Sequence, residues 1–161
     1  MTITHIKHIA AVLLLTAADQ LAKRAAAVSL RPVGARIVIP NVLSLTYVEN
    51  AGAAFGVFEG GRWVFVVTTG IIMAALCFYY LNLPGLKKFW AVRAALALIF
   101  AGALGNLIDR LARGYVVDFI HLLFIRFPVF NLADVCVVVG TAALAVLLTF
   151  FVKEDEDIAK S

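Results

Sequence analysis

The chain has little of what a soluble or metal-binding protein of 161 residues carries. Only 15% of its residues are charged, and it has two cysteines and three histidines. The cysteines, Cys77 and Cys136, each lie inside an apolar run, so they predict neither a disulfide framework nor a metal-ligand spacing. Because no Cys, His and carboxylate residues cluster in the sequence, we expect no metal ion and no cofactor.

Basic residues are not clustered either. The net charge is +4, but the lysines and arginines are scattered at the ends of apolar runs and form no stripe interleaved with aromatic residues. Such a distribution is typical of interfacial anchors and loop charges in membrane proteins. We therefore expect no nucleic-acid partner.

Apolar residues are what the chain has in excess. They make up 63% of the sequence, whereas a soluble domain is about half apolar. This excess indicates a chain whose solvent is lipid, and a helix needs roughly 20 mainly apolar residues to cross a bilayer. Four stretches approach that length, and they are residues 6–28, 62–83, 91–112 and 132–152.

The first stretch begins like a secretory signal peptide, with Lys7 ahead of an apolar run. Asp19 and Lys23 follow within the same helical stretch, so we interpret it as a retained span. These two residues are four apart, share a helix face and are predicted to pair. They form either a simple intrahelical ion pair, or a pair whose acid orients another group at the membrane boundary.

The predicted architecture is a single all-α membrane domain over residues 1–161, with four transmembrane helices. Between the first and second spans, residues 36–48 are rich in β-branched residues and partly alternate, which predicts short strands on the membrane surface. The glycine-containing segment 49–56 then permits a tight turn and close approach to a ligand. We therefore expect a small β-rich surface subdomain over about residues 36–60.

Polar side chains interrupt the apolar pattern near the ends of several spans. A charge at the bilayer centre costs at least about 2.5–3.5 kcal/mol, which favours a function for such residues. With four spans, the first and second loops lie on the same side of the membrane, so the polar residues converge at one surface. The converging residues are Asp19, Asn50, Asn106, Arg110, Asp118, Asn131 and Asp134.

Two carboxylates in this set, Asp118 and Asp134, are sixteen residues apart. If they meet, they cannot both ionise at low cost, so one keeps a proton and the pair titrates as a unit. The ionised partner takes a proton from water, and the protonated partner donates to the carbonyl oxygen or leaving nitrogen of a peptide bond. A simpler interpretation of Asp134 stays open, because Asn131 can cap the fourth span and a first-turn acid is favoured there.

Five strings in chain order are distinctive together. They are DQLAK at 19–23, ENAGAAFG at 49–56, GALGNLIDR at 102–110, GYVVDFI at 114–120 and FNLAD at 130–134. The set resembles the lipoprotein signal peptidases, signal peptidase II. This resemblance implies an aspartic endopeptidase that hydrolyses the peptide bond before the diacylglyceryl-modified lipobox cysteine of bacterial prolipoproteins and releases the signal peptide. It implies that Asp118 and Asp134 are the catalytic dyad.

The resemblance also implies further site residues, partners and a location. Asn50, Asn106, Arg110 and Asn131 fall on positions that line the substrate and inhibitor site, and Asp19 and Lys23 fall on matching polar positions of the first span. It implies inhibition by the cyclic peptide antibiotic globomycin, and substrate arriving laterally from the membrane lipid; we expect a monomer. Glu49 departs from the expected pattern and adds a charge near this site.

Composition and the family resemblance disagree about the side of the membrane on which the polar surface lies. Eight basic residues lie on the side of the polar surface and six on the side of the termini, which weakly assigns the polar surface to the cytoplasm. The resemblance instead implies a bacterial inner-membrane protein with cytoplasmic termini and a periplasmic active site.

Two other classes of protein fit a polar membrane chain. A small ion- or proton-coupled transporter would need polar residues at mid-membrane or facing both sides. A structural membrane protein would tolerate Asp118→Asn and Asp134→Asn.

Overall fold

The computed structural model describes residues 3–52, 61–86 and 89–152. Four α-helices and three strands follow in these ranges: α1 (Ile3–Leu30), β1 (Ala35–Ile39), β2 (Leu43–Asn50), α2 (Arg62–Asn82), α3 (Trp90–Arg113), β3 (Val116–Leu122) and α4 (Leu132–Leu147). A π-helical segment, Leu148–Val152, continues α4. Residues 53–60, which include the second half of the predicted glycine-containing segment 49–56, lie outside the described residues.

Three helices of the described part are long and apolar enough to cross a membrane. They are Arg62–Asn82, Trp90–Arg113 and Leu132–Phe150. The longest helix, α1, is not among them, because polar and charged side chains are spread along it. The chain is thus mostly helical, with three membrane-capable helices beside a small sheet.

The helices bury polar side chains and expose apolar ones. Lys23, Asp109 and Asn131 are fully buried, whereas Leu14 and Phe78 are 71% and 72% exposed. A water-soluble helix shows the opposite arrangement, because its apolar stripe faces the core. The outer surface is therefore suited to lipid, and the interior holds a polar network.

α3 is the central helix, packed against α1, α2 and α4. Two glycines of α3 lie where neighbouring helices approach it, and small residues of this kind permit close helix packing. A Cβ at Gly102 would collide with the Ala133 carbonyl oxygen and lie 2.8 Å from Val137 Cγ2, and one at Gly105 would lie 2.6 Å from Asp19 Oδ2. These two glycines let α1 and α4 approach α3 closely, which brings their polar residues together.

The three strands form one antiparallel sheet in the order β1-β2-β3. Strands β1 and β2 occupy the segment predicted to be extended between the first two spans. The third strand comes from the segment after α3, and Leu43, Leu45 and Asn50 of β2 pair with its residues Leu122, Ile120 and Val116. The sheet thus joins both loops, rather than the first loop alone as the sequence predicted.

Candidate active site

Asp118 is positioned by the turn at the end of α3 and by the pairing of β3 with β2. α3 ends at Arg113 and is capped by Gly114, whose φ of 87° lies in the left-handed region that glycine adopts without strain. In the sheet, Val48 stands opposite Asp118, and Asn50 lies two residues further along β2 on the same face. Asn50 Nδ2 consequently donates a hydrogen bond of 2.9 Å to Asp118 Oδ2.

The neighbours of Asn50 fix its orientation. The backbone N–H of Gly52 donates to Asn50 Oδ1 over 3.1 Å, which leaves the amide NH₂ group turned toward the carboxyl of Asp118. Glu49, one residue away, points to the other face of the strand. There it accepts from the Tyr47 hydroxyl at 2.9 Å and pairs with Arg31 at 3.3 Å. The charge of Glu49 is therefore paired at the protein surface and does not contribute to the site around Asp118.

Asp134 is positioned by the start of α4. Asn131 is the N-cap of this helix, as predicted: its Oδ1 accepts from the Asp134 N–H at 3.0 Å. In return, the Asn131 N–H donates to Asp134 Oδ2 at 3.1 Å. This reciprocal arrangement is a capping box, which holds the Asp134 carboxyl at the helix N-terminus.

Two asparagine side chains connect the carboxyls of Asp118 and Asp134. Asn131 Nδ2 donates to Asp118 Oδ1 over 2.6 Å and to Asn106 Oδ1 over 3.2 Å. Asn106 Nδ2 in turn donates to Asp134 Oδ1 over 2.7 Å. The structure therefore brings together the two acids that the sequence singled out, through a continuous set of hydrogen bonds.

Burial is the main cause of a raised pKa at Asp118. The pKa of this carboxyl is raised from 3.8 to about 6, mainly by loss of hydration and to a smaller extent by the negative charge of Asp134. Hydrogen bonds from Asn50 and Asn131, and the positive charge of Lys23, act in the opposite direction and limit the rise. The group is therefore able to carry a proton at mildly acidic pH.

Both aspartates line one cleft of about 430 Å³. Three more of the predicted site residues, Asn50, Asn106 and Arg110, line it with them. Its other walls are mainly apolar, and they include Leu122, Ile125, Phe127, Pro128, Val129, Val135, Val138 and Val139. The cleft thus offers a small polar end beside an apolar surface, which suits an amphiphilic ligand.

Arg110 adds a positive charge to the polar end. It interacts electrostatically with Asp134, Asp118 and Asp109. Its guanidinium carbon lies 5.0 Å from the centroid of the Phe65 ring on α2, so the side chain lies between the acids and that helix.

The remaining three predicted site residues lie behind the cleft and not on its lining. Asp19 is 2% exposed, and Lys23 and Asn131 are fully buried. The predicted pairing of Asp19 with Lys23 is confirmed, with Nζ 2.9 Å from Asp19 Oδ2. Asp19 Oδ1 also accepts from the backbone N–H of Ala133 at 3.0 Å, which ties α1 to the start of α4.

Asp109 is a site-region residue whose position the sequence did not predict. Its carboxylate lies 3.0 Å from Lys23 Nζ and 2.8 Å from Arg113 Nη1, and it accepts from the Val117 N–H at 3.3 Å. The four-residue spacing to Arg113 was the available signal, because such a pair shares a helix face. The contact with Lys23 depends on how α1 and α3 pack, which spacing does not show.

No metal centre is found among the described residues. In the ranges that the structure covers, no three His, Cys, Asp or Glu side chains are grouped closely enough to hold a metal ion. The arrangement there is instead suited to proton transfer, since two linked carboxyls and several amide donors face one cleft.

Comparison with known proteins finds relatives that cover most of this chain. Residues 11–151 match the family model described as Signal peptidase (SPase) II. A lipoprotein signal peptidase of Clostridioides difficile is 42% identical over 89% of this chain and 95% of its own length. One from Caldanaerobacter subterraneus is 44% identical over 82% and 88%.

Solved structures agree with the sequence relatives. Two, each described as a bacterial membrane enzyme structure obtained by the in meso method, superpose with TM-scores of 0.78 and 0.77 at 33% identity. They cover 89% and 90% of this chain, and 87% and 94% of the solved chains. With the family match spanning most of the sequence, the chain belongs to the signal peptidase II family.

Proposed function

We propose that this protein is an aspartic endopeptidase that removes the signal peptide from diacylglyceryl-modified prolipoproteins. The bond cut is the one before the lipid-modified cysteine. The observation that carries the proposal is the pair of acids, Asp118 and Asp134, linked through asparagine amides at the polar end of a largely apolar cleft. Family membership supports the same activity.

In this mechanism the two acids have different roles. Asp118, whose pKa is raised by burial, carries a proton. Asp134 is ionised and takes a proton from water as the water oxygen attacks the scissile carbonyl, while Asp118 donates its proton to the carbonyl oxygen. The resulting gem-diol collapses when Asp134 protonates the leaving nitrogen and Asp118 recovers a hydroxyl proton, which breaks the C–N bond.

The other cleft residues bind rather than react. Asn50 and Asn106 have amides at the polar end, where they can align the backbone around the scissile bond. Arg110 adds a positive charge that stabilises negative charge developing on the carbonyl oxygen. The apolar wall along α4, which includes Val138 and Val139, accommodates the hydrophobic signal peptide or the lipid chains.

We also propose a four-span topology in the bacterial inner membrane, with cytoplasmic termini and the cleft at the periplasmic face. α1 contains 28 residues, and at 1.5 Å per residue a helix of that length measures about 42 Å, enough to cross a bilayer. Its polar residues Asp19 and Lys23 are buried, whereas Leu14 and Leu21 are 71% and 65% exposed. Substrate then enters laterally from the lipid, and the protein acts as a monomer without metal or cofactor.

The test is reconstitution of the protein in lipid with a diacylglyceryl-modified prolipoprotein. Wild type is expected to release the signal peptide, and Asp118→Asn and Asp134→Asn are each expected to lower kcat by about 10²–10⁴-fold. Globomycin is expected to block the wild-type reaction. Equal cleavage by all three proteins would refute the protease proposal and leave a structural role as the better interpretation.

A further inference from the structure

Lys23 is a buried cation with all of its hydrogen-bonding capacity in use. Its ammonium group has three N–H donors and no acceptor. Nζ lies 2.9 Å from Asp19 Oδ2, 3.0 Å from Asp109 Oδ2 and 2.8 Å from Asn106 Oδ1. The two carboxylates neutralise the charge of Lys23, and Asn106 connects Lys23 to the cleft that it lines.

The contact with Lys23 fixes which way the Asn106 amide points. A side-chain amide can be turned over with little change in shape, so its neighbours decide the orientation. Because Lys23 can only donate, the oxygen of Asn106 must face it, and Asn131 Nδ2 donates to the same oxygen at 3.2 Å. The NH₂ group of Asn106 therefore faces Asp134, at 2.7 Å.

The orientation matters for the charge on Asp134. Its Oδ1 accepts from Asn106 Nδ2 and its Oδ2 accepts from the Asn131 N–H. Donors of this kind favour the carboxylate over the carboxylic acid. A reversed Asn106 amide would place a carbonyl oxygen against Asp134 and favour protonation of that acid instead.

We propose that Lys23 is a positioning residue for the dyad: by holding the oxygen of Asn106 it directs the NH₂ group at Asp134 and keeps Asp134 ionised as the base. This inference rests on the proposed protease function. Because the Lys23 side chain is fully buried and does not line the cleft, it acts through Asn106 and not on the substrate.

Among the described residues, few charged groups surround the hydrogen bonds that run from Lys23 through Asn106 to Asp134. Asp19 of α1 and Asp109 of α3 face Lys23, and Arg113 Nη1 is 2.8 Å from the far oxygen of Asp109. Asp134 interacts with Asp118 of β3 and with Arg110 of α3. Removing Lys23 alone would leave two buried carboxylates poorly paired, so a charge-balanced variant is needed.

The variant that tests the proposal combines Asp19→Asn with Lys23→Met and is called the double variant below. It removes one charge of each sign, and the amide oxygen introduced by Asp19→Asn can still accept from the Ala133 N–H as the carboxylate does. Asn106 Oδ1 loses the shorter of its two hydrogen bonds and keeps only the 3.2 Å contact from Asn131 Nδ2. We expect kcat to fall by about 10–100-fold with less than about threefold change in KM, and the acidic limb of the pH–rate profile to move to higher pH.

Thr16→Val is the matched control. Thr16 Oγ1 donates to the Ala101 carbonyl at 3.3 Å, so it is another buried contact between α1 and α3. It takes no part in the hydrogen bonds that connect Lys23 to Asp134 through Asn106. This variant is expected to lower Tm and leave kcat and the pH–rate profile unchanged. If the control and the double variant both lose kcat in proportion to Tm with no movement of the acidic limb, Lys23 has only a structural role and the proposal is overturned.

Lys23→Arg supplies a further variant, because a guanidinium group is also a donor-only cation. It is expected to keep the wild-type acidic limb even where its larger side chain lowers Tm. A limb displaced as in the double variant would overturn the proposal.

A measurement independent of cleavage separates this inference from the proposed function. The chain has five asparagines, so ¹⁵N-asparagine labelling gives few side-chain NH₂ signals, and Asn106→Asp identifies that of Asn106. We expect Asp134→Asn to shift this signal strongly when it is made in wild type, because Asp134 accepts the hydrogen bond of this NH₂ group, and to shift it much less when it is made in the double variant. An equal shift of the signal on Asp134→Asn in both backgrounds would overturn the role of Lys23, whereas inactive wild type would refute the protease proposal alone.

Discussion

At the scale of single residues, Asn131 has two separate tasks. Its oxygen caps α4 by accepting from the Asp134 N–H, and its NH₂ group donates to Asp118 and Asn106. A helix cap therefore also joins the two acids. The two interpretations of Asp134, as a first-turn acid of α4 and as a site residue, are therefore compatible.

The two tasks of Asn131 can be separated by substitution. Asn131→Ser keeps a good N-cap oxygen but is too short to bridge the acids, whereas Asn131→Ala loses both functions. We expect the serine variant to be more stable than the alanine variant by about 1 kcal/mol, from the cap alone. Thermal unfolding measures that difference, and cleavage assays should find both variants similarly impaired. Full activity in the serine variant would show that the bridge is dispensable.

The raised pKa of Asp118 predicts a pH-dependent stability. Its folded-state pKa of about 6 lies above the ordinary 3.8, so the native state binds the extra proton between these values and wild-type stability falls as pH rises through them. The complete change is about 3 kcal/mol. Compared with Asp118→Asn, wild type should lose stability from about pH 4 to pH 6 and no further above that range. Thermal unfolding in detergent at a series of pH values measures this, and a pH-independent difference would contradict the assignment.

At the scale of secondary-structure elements, the sequence predicted the parts and missed some of their contacts. Apolar length predicted where the helices lie, and the four-residue spacing predicted the Asp19–Lys23 pair that the structure confirms. The contact of Asp109 with Lys23 was missed, because it depends on the rotation of α3 relative to α1. The pairing of β3 with β2 was missed because it joins two loops far apart in the chain.

The glycine seam on α3 predicts a sharp difference between two glycine-to-alanine changes. A Cβ at Gly105 would lie 2.6 Å from Asp19 Oδ2 and 3.2 Å from Ala133 Cβ, whereas one at Gly70 in α2 meets nothing within 4 Å. Gly105→Ala should therefore cost about 1–3 kcal/mol and displace the acid that pairs with Lys23. Gly70→Ala should be neutral or stabilising by up to about 1 kcal/mol. Unfolding in detergent compares the two, and equal stability would argue against the close packing.

At the scale of the whole molecule, the arrangement follows from its solvent. α2 has no buried residue in the structure, and the exposed side chains of the helices are largely Leu, Ile, Val and Phe. Since lipid covers such surfaces at no cost, the packed interior can be small and polar. The cleft opens beside this apolar exterior, which is where a membrane-held substrate would approach.

The proposed four-span topology predicts the side on which reporters are active. A periplasm-dependent phosphatase inserted at the exposed turn around Asn41, between β1 and β2, is expected to be active, and fusions at either terminus are expected to be inactive. Enzyme activity in whole cells, normalised to fusion-protein amount, provides the measurement. Activity at the N-terminal fusion and not at the turn would place the cleft in the cytoplasm, as the count of basic residues does.

The hydrogen bonds that join the acids also differ in how far apart along the chain their partners lie. Those linking Asn106, Asp118, Asn131 and Asp134 span 28, 25, 13 and 3 residues, whereas those to Asn50 and Lys23 span 68 and 83. The entropy lost in closing a loop grows only with the logarithm of its length, so the nearer contacts form at lower entropic cost. During biosynthesis, the last helical hairpin can thus organise most of the site as it emerges, and docking against the segments made earlier completes it.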